Sequence, residues 1–567
     1  MNMKIIRLTF AVTVLAVACL CLLSAAYAST YGCCGETTTW SLDNGVLTIT
    51  GTGEMNNYQT EEQVPWYSQR DAIHSVIIRQ GVSSVGSRAF ICCTNLSSVS
   101  LPESVIYIGK FAFLACRSLE SVYLPGSVIT MGANPFAECD QLAQIEVSPA
   151  SNYYFTRDGI LYSKENLCLI CCPCASSAAS FSVPEGTQSI GSGAFMWNSR
   201  LRSVILPDSV AEIEESAFAG CNELTSIVLP DSVKSIGPAA FRYCTSLTEI
   251  ILPESLEVIG DNAFSNCHEL TYAFIPDSVI SIGDAAFEST NLVTVDLPAS
   301  LQSVGTNPFV SCGELEAIRV PPGSANFISQ NDALYSVADQ KLICLLCKSS
   351  QRKFAVPHGI RIIGAEAFAG CDLTGIELPD SIVNIENGAF AGCCGLTAIT
   401  LPDSIVSIGK RAFAFCDGLT GITVPDSVTS IGADAFHGCY DLERITLPRS
   451  LISIGDEAFA YCYRLQKITL PASTAFVGDR AFYKCNNMIS VTLSDSLTFL
   501  GEESFRECEN LKELYIPDSV AFIGRNAFAD CSDSFSCLVS SSSAACRYCE
   551  ENGIPISFTD ADEVPLG

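Results

Sequence analysis

Chemistry in this 567-residue sequence would fall first to its thirty cysteines. Cys171-x-x-Cys174 and Cys344-x-x-Cys347 have the spacing of paired motifs that grip tetrahedral zinc through thiolates. Their separation argues against a shared ion. About six repeats of the chain lie between the pairs, which places them on the order of 30 Å apart, whereas zinc to sulfur distances are near 2.3 Å. A local disulfide at each place and free thiols packed as small apolar residues both fit the pattern. Fifteen further cysteines share one recurring position: Cys93, Cys116, Cys139, Cys221, Cys244, Cys267, Cys312, Cys371, Cys393, Cys416, Cys439, Cys462, Cys485, Cys508 and Cys531. If equivalent residues stack at about 4.8 Å with parallel side chains, their Cβ atoms stay beyond the roughly 3.5 to 4.5 Å that a disulfide needs. These fifteen are therefore expected to form a buried ladder of free thiols. Cys33, Cys34, Cys537, Cys546 and Cys549 lie near the two ends, where a disulfide could clamp the chain.

Other reactive groups give less. The histidines are His74, His268, His358 and His437, each in a different repeat, so no two are expected to share a metal or to serve a nucleophile, and each reads as a surface residue. Ser-Ile-Gly recurs throughout without the Lys-Ser or Lys-Thr sequel of a phosphate loop. Asp208, Asp231, Asp277, Asp380, Asp403, Asp426 and Asp518 all follow a proline in a turn, where a carboxylate can accept backbone amide hydrogens, and they read as structural. No catalytic residue, metal or cofactor is assigned, and an enzyme is not expected.

The elements that would position these residues come from one repeating unit. LPDSV or a near copy begins at Leu206, Leu229, Leu252, Ile275, Leu378, Leu401, Val424, Leu447, Leu470, Leu493 and Ile516, mostly 23 residues apart. Such a period marks a repeat architecture in which each unit stacks on its neighbours. Within one unit, Leu224, Ile227 and Leu229 belong to a strand with Ser226 and Val228 pointing outward. Pro230 ends that strand because it has no amide hydrogen for the ladder. Phe241, Cys244 and Leu247 then fall three apart, which predicts one short helical turn on the far side.

These residues resemble the BspA-like, or Treponema-type, leucine-rich-repeat family, whose pattern reads LPxSVxxIGxxAFxxCxxLxxI. The resemblance covers nearly all of the chain beyond its first residues, and the Phe of the AF element recurs seventeen times, from Phe90 to Phe528. It implies an α/β leucine-rich-repeat solenoid of about seventeen coils, with a parallel sheet on one face, short helical turns on the other and a cap at each end. Trp40, Asp43-Asn44-Gly45 and the stretch Thr50 to Gly53 look like the hairpin that precedes such arrays, and the segment around Tyr548 and Gly553 is similar to the family's closing segment. Two long units, 137–194 and 310–367, match each other, and the resemblance implies an extra hairpin in each. The expected organisation is a signal peptide over 1–28, an N-terminal capping region over 29–74, the solenoid over 75–531 and a C-terminal cap and tail over 532–567.

The leader reading rests on Lys4 and Arg7, an apolar stretch over 8–23 and Ala26-Tyr27-Ala28, a small-x-small cleavage pattern that would leave Ser29 first. An alternative is lipidation at Cys19 after Ala16-Val17-Ala18. No later segment supplies roughly 20 apolar residues, so no integral membrane association is expected. A net charge of −30 would repel phosphate backbones, which makes nucleic acid an unsuitable partner.

Function would then lie on outward strand positions. Ile205, Val228, Ile251 and Phe274 occupy one outward column in four consecutive repeats, with Tyr272 beside Phe274, and apolar groups where polar ones would suffice mark a contact surface. β-propensity, or cover from a long unit, would explain the same residues. Thr400, Thr423, Thr446, Thr469 and Thr492 form a second column, read as ordinary strand threonines. The expected function is adhesion-like binding of an extracellular protein or glycan by a secreted or surface-held chain; the alternative is a structural, self-associating surface component.

Overall fold

The structure, a computed structural model, describes residues 30–175, 179–346, 348 and 351–558. The proposed leader, Cys19, Cys347 and the tail beyond 558 lie outside those residues. The chain divides into two units, Met1–Cys244 and Thr245–Gly567. The same repeat builds both.

Each repeat opens on a strand of about three residues. In Gly421–Thr423, Ile422 is buried while Thr423 points outward, and Pro425 follows where the ladder stops. Equivalent strands pair in parallel and in register, as Gly421–Thr423 does with Arg444–Thr446 in the second unit and Ser203–Ile205 with Ser226–Val228 in the first. A second ladder of two-residue strands follows the turn, exemplified by Ser430–Ile431 on Ser453–Ile454. Its isoleucines are buried. The turn between the ladders is tied by serine, not aspartate: Ser404 Oγ donates to the Ile382 carbonyl at 2.6 Å and Ser450 Oγ to the Val428 carbonyl at 2.8 Å. The aspartates after proline are exposed; of them, Asp426 accepts the Arg449 amide at 2.8 Å.

The far side is not helical, which corrects the reading from three-residue spacing. Arg411 and Phe415, two residues either side of Phe413, take φ of 58° and 57°. With these left-handed residues, alternate amides point at the next repeat: Arg411 N to Ala433 O at 2.9 Å, Phe413 N to Ala435 O at 2.8 Å and Phe415 N to His437 O at 2.7 Å. The intervening amides bond locally, Ala412 N to Gly409 O and Cys416 N to Phe413 O. Each left-handed non-glycine residue costs about 1–2 kcal/mol, offset here by the amide hydrogen bonds it makes possible, both to the next repeat and within the turn. The result is a solenoid of mostly parallel strands with few helices; the described helices are the 3-10 turns Glu61–Gln63 and Tyr67–Ala72 and the α-helix Ala544–Asn552.

The repeats number about 21 among the described residues, not the seventeen counted from the Phe. Val46–Gly51, Gln144–Val147, Ala317–Arg319 and Ser536–Val539 each add a strand without that Phe. Each long unit therefore holds two turns, with a hairpin between them: Tyr154–Arg157 with Ile160–Ser163, and Phe327–Gln330 with Ala333–Ser336. Asp158 and Gly159, and Asn331 and Asp332, supply the positive φ that a tight hairpin turn needs. Near the start, Trp66 takes a place in the Phe column and stacks on Phe90 at 5.5 Å. Near the end, Ser543 caps Ala544–Asn552, whose Tyr548 lies edge-on to Phe528 at 6.0 Å.

Two columns fill the interior. Phenylalanines stack face to face, Phe413 on Phe436 and Phe436 on Phe459 at 5.3 Å each, all fully buried. Beside them stand the fifteen recurring cysteines, all buried except the partly buried Cys531. Most of their Sγ–H groups point at a carbonyl of the preceding repeat: Cys116 to Phe90 at 3.2 Å, Cys244 to Phe218 at 3.2 Å, Cys416 to Phe390 at 3.1 Å and Cys439 to Phe413 at 3.1 Å. The Phe390 oxygen thus accepts both the Cys393 amide and the Cys416 thiol. Burial pushes Cys93 and Cys531 up to about 12 and Cys462 higher, so these thiols stay protonated.

Phe436→Ala should cost about 3–5 kcal/mol in urea unfolding, against about 1 kcal/mol for Phe522→Ala, whose ring is half exposed on Phe499. Equal costs would show that the interior column carries no special share of stability. Iodoacetamide applied to the native protein should label the exposed Cys33 and Cys394 and reach Cys439 only after denaturation, as read by peptide mass spectrometry. Native labelling of Cys439 at the rate of Cys394 would contradict the buried ladder.

Candidate functional site

The outward strand face is built by alternation. Because Val204, Ile227, Ile250 and Ala273 are buried, their neighbours on either side must point outward. In the first unit Ile205 pairs with Val228, and the two are 56% and 65% exposed. In the second unit Ile251 pairs with Phe274 and Glu249 with Tyr272, with exposures of 70% for Ile251, 51% for Tyr272 and 44% for Phe274. The five residues predicted from sequence thus form two groups, Ile205 with Val228 and Ile251 with Tyr272 and Phe274, one in each unit. Hydroxyl pairing replaces apolar contact in the neighbouring column of the first unit, where Ser203 Oγ lies 2.9 Å from Ser180 Oγ. Further along the second unit the face turns polar, and Arg319 reaches Asp296 at 3.4 Å across an exposed pair worth little energy.

The threonine column is also exposed, with Thr423 beside Thr446 and Thr469 beside Thr492. Here the structure adds what the sequence reading passed over. The companion outward column runs Lys353, Gly375, Ala398, Gly421, Arg444, Lys467, and its three small residues leave shallow depressions bordered by Thr400, Thr423 and Thr446. A further depression is lined by Arg444, Lys467, Thr446 and Thr469. The signal was available as small residues two positions before Thr400 and Thr423, Ala398 and Gly421, once strand alternation is applied.

The other singled-out residues lie elsewhere. The thiol ladder faces the interior and takes no part in the outward face. Cys171 and Cys174 are both buried, beside Cys139; burial raises all three, helped by neighbouring sulfurs at Cys171 and Cys139 and by Asp140 and Glu138 at Cys174. Cys344 is buried in the second unit. Cys537 and Cys549, on Ser536–Val539 and Ala544–Asn552, share a thiol hydrogen bond that raises the first and lowers the second. His74, His268 and His358 are exposed. His437 is not: its side chain is only 18% exposed, because the coil tucks it between two aromatic rings. Among the described residues no helix is long and apolar enough to cross a membrane.

Solved structures match the chain at low identity. A leucine-rich cell surface protein from Faecalibacterium prausnitzii is 23% identical, covers 81% of this chain and 93% of its own, and aligns with a TM-score of 0.41. A leucine-rich repeat protein from Bacteroides ovatus is 22% identical over 89% of this chain and 98% of its own, with a TM-score of 0.37. The pneumococcal vaccine antigen PcpA is 19% identical over 72% of this chain and 96% of its own, with a TM-score of 0.42. No curated protein matches the chain. Six copies of one repeat family span residues 66–163, 171–290, 257–336, 344–443 and 407–535, so the chain belongs to the BspA-type leucine-rich-repeat family.

Proposed function

We propose that the chain is an exported surface protein that binds an extracellular protein or glycan through the outward face of its strands. The observation that carries this reading is the exposure of large apolar side chains on that face, Ile205 and Val228 in one unit and Ile251, Tyr272 and Phe274 in the other. Water gains nothing from contact with such groups, and a partner that covers them releases roughly 25 cal/mol per Å² of apolar surface. Branched and aromatic groups held on a rigid strand lose little conformational freedom on binding, which suits them as anchors. Export rests on the leader reading, with Ser29 as the first residue of the mature chain.

The immobilised mature chain should capture a member of a panel of extracellular-matrix proteins and glycans. Ile205→Ser with Val228→Ser should test the first unit, and Ile251→Ser with Phe274→Ser the second. Loss of about tenfold or more in affinity from a folded variant identifies the contact surface. Capture unchanged in both variants removes the apolar groups from the site, and concentration-dependent self-association without capture favours the structural component instead. N-terminal sequencing of the exported protein should begin at Ser29; a lipid-modified Cys19 would replace the soluble leader with an anchor.

A further inference from the structure

In the second unit, the residue two before each interior phenylalanine from Phe390 to Phe528 forms a column on the turn side of the coil: Gly388, Arg411, Asp434, Glu457, Arg480, Glu503 and Asn526. Asp434 and Glu457 stand one repeat apart and take the same left-handed backbone, φ 55° and 53°. They are the one stacked pair of acids in this run. At the same level, the residue after the phenylalanine, alanine in the flanking repeats at Ala391, Ala414 and Ala460, is His437.

The three side chains converge. His437 Nδ1 lies 3.5 Å from Asp434 Oδ1 and 3.4 Å from Glu457 Oε2, and the three ligand atoms lie within 4.8 Å of one another. Nδ1 is buried yet makes no hydrogen bond. A charge-assisted bond would close to about 2.7–2.9 Å, so the gaps are too wide for simple ion pairing at its best. They suit a metal polyhedron instead: ligand bonds of about 2.0–2.2 Å in a tetrahedron set neighbouring ligands about 3.3–3.6 Å apart. The surrounding cations leave those oxygens free. Lys410 Nζ faces the other Asp434 oxygen, Oδ2, at 3.9 Å, and Arg480 Nη1 faces Glu457 Oε1 at 3.8 Å while its Nε bonds Glu503 at 2.7 Å. Phe415 lies edge-on to the imidazole at 5.3 Å and Tyr461 tilts against it at 5.1 Å, which fixes the ring. The carboxylates are a quarter to a third exposed, so an ion has a way in and solvent can complete its shell.

We propose that Asp434, His437 and Glu457 bind a divalent transition-metal ion, with zinc as the probe. One imidazole nitrogen and two carboxylate oxygens match its preference for nitrogen and oxygen ligands, and its two positive charges cancel those of the stacked acids. The site lies away from the strand face, so its failure leaves the binding reading of that face untouched.

The test uses the full mature chain, metal-free and with exposed thiols alkylated under native conditions so that cysteine does not compete. Calorimetric titration with zinc should show one ion per chain. His437→Gln, and separately Glu457→Gln in the next repeat, should weaken that binding at least about a hundredfold, and zinc should raise the melting temperature of the wild type but of neither variant. An anomalous-scattering peak between the three side chains in zinc-soaked crystals supports the site directly. No binding by the wild type, or equal binding by the wild type and both folded variants, overturns it and leaves an ion-paired histidine.

Discussion

Hydrogen bonds between successive repeats hold equivalent backbones about 4.8 Å apart on three sides of the coil, and the remaining structure is arranged around that spacing. Once Arg411, Phe413 and Phe415 commit their amides to the next repeat, each side chain has its own equivalent as its nearest neighbour. Flat rings meet the constraint well, which is why one phenylalanine column runs through the interior with centroids 4.9 to 5.3 Å apart from Phe390 to Phe482. Branched aliphatic residues would leave gaps at the same separation, and voids in a close-packed interior cost stability.

The thiol ladder answers a second demand of the same spacing. An interior phenylalanine carbonyl such as that of Phe390 accepts one local amide, leaving a lone pair in an apolar setting. A cysteine from the next repeat reaches it with a small, weakly polar donor, so the bond is made with little desolvation. Thr290, which replaces cysteine in one repeat, turns its hydroxyl onto the carbonyl of its own repeat, donating to Phe287 at 2.9 Å, and that carbonyl also receives Cys312 from the next repeat at 3.0 Å. Burial keeps these sulfurs protonated, and a thiol is a poor nucleophile for exchange. An array of this kind can hold many cysteines without depending on disulfides.

Much of this was legible from the period. Alternation around Ile227 placed the strand, and proline marked its end. The spacing of Phe241, Cys244 and Leu247 misled because consecutive three-residue turns produce the same interval as a helix. What separates them is the left-handed backbone at positions such as Arg411, Glu457 and Arg480, which no local preference of those residues announces. It is imposed by the neighbouring repeat. The count of seventeen fell short because four strands, Gln144–Val147 and Ala317–Arg319 among them, lack the phenylalanine by which repeats were recognised. In the turn, aspartate drew attention as the residue with hydrogen-bonding habits, whereas serine, one position on, reaches the preceding repeat. Nothing in the pentapeptide distinguishes the two until the stacking direction is known.

A repeat scaffold also changes how a site must be sought. Looking for two histidines close in sequence passes over Asp434 and Glu457, which are 23 residues apart in the chain and neighbours in space because that interval is the period itself. The charges of their column otherwise avoid like neighbours, with arginine at 411 and 480 flanking the acids and Glu503 following. Two carboxylates stacked within one repeat of each other repel, and the repulsion grows as water is excluded. Lys410 and Arg480 relieve part of it, but from the outer oxygens. The inner oxygens face a buried imidazole nitrogen that has no hydrogen-bonding partner, at distances a bound cation would bridge. The scaffold supplies the rigidity, since the backbone at 434, 437 and 457 is held by the same ladder as every other repeat, and the departure from alanine at His437 supplies the chemistry. Alanine also gives way along this column at Tyr483 and Arg506, so what sets His437 apart is the stacked pair of acids that its imidazole meets.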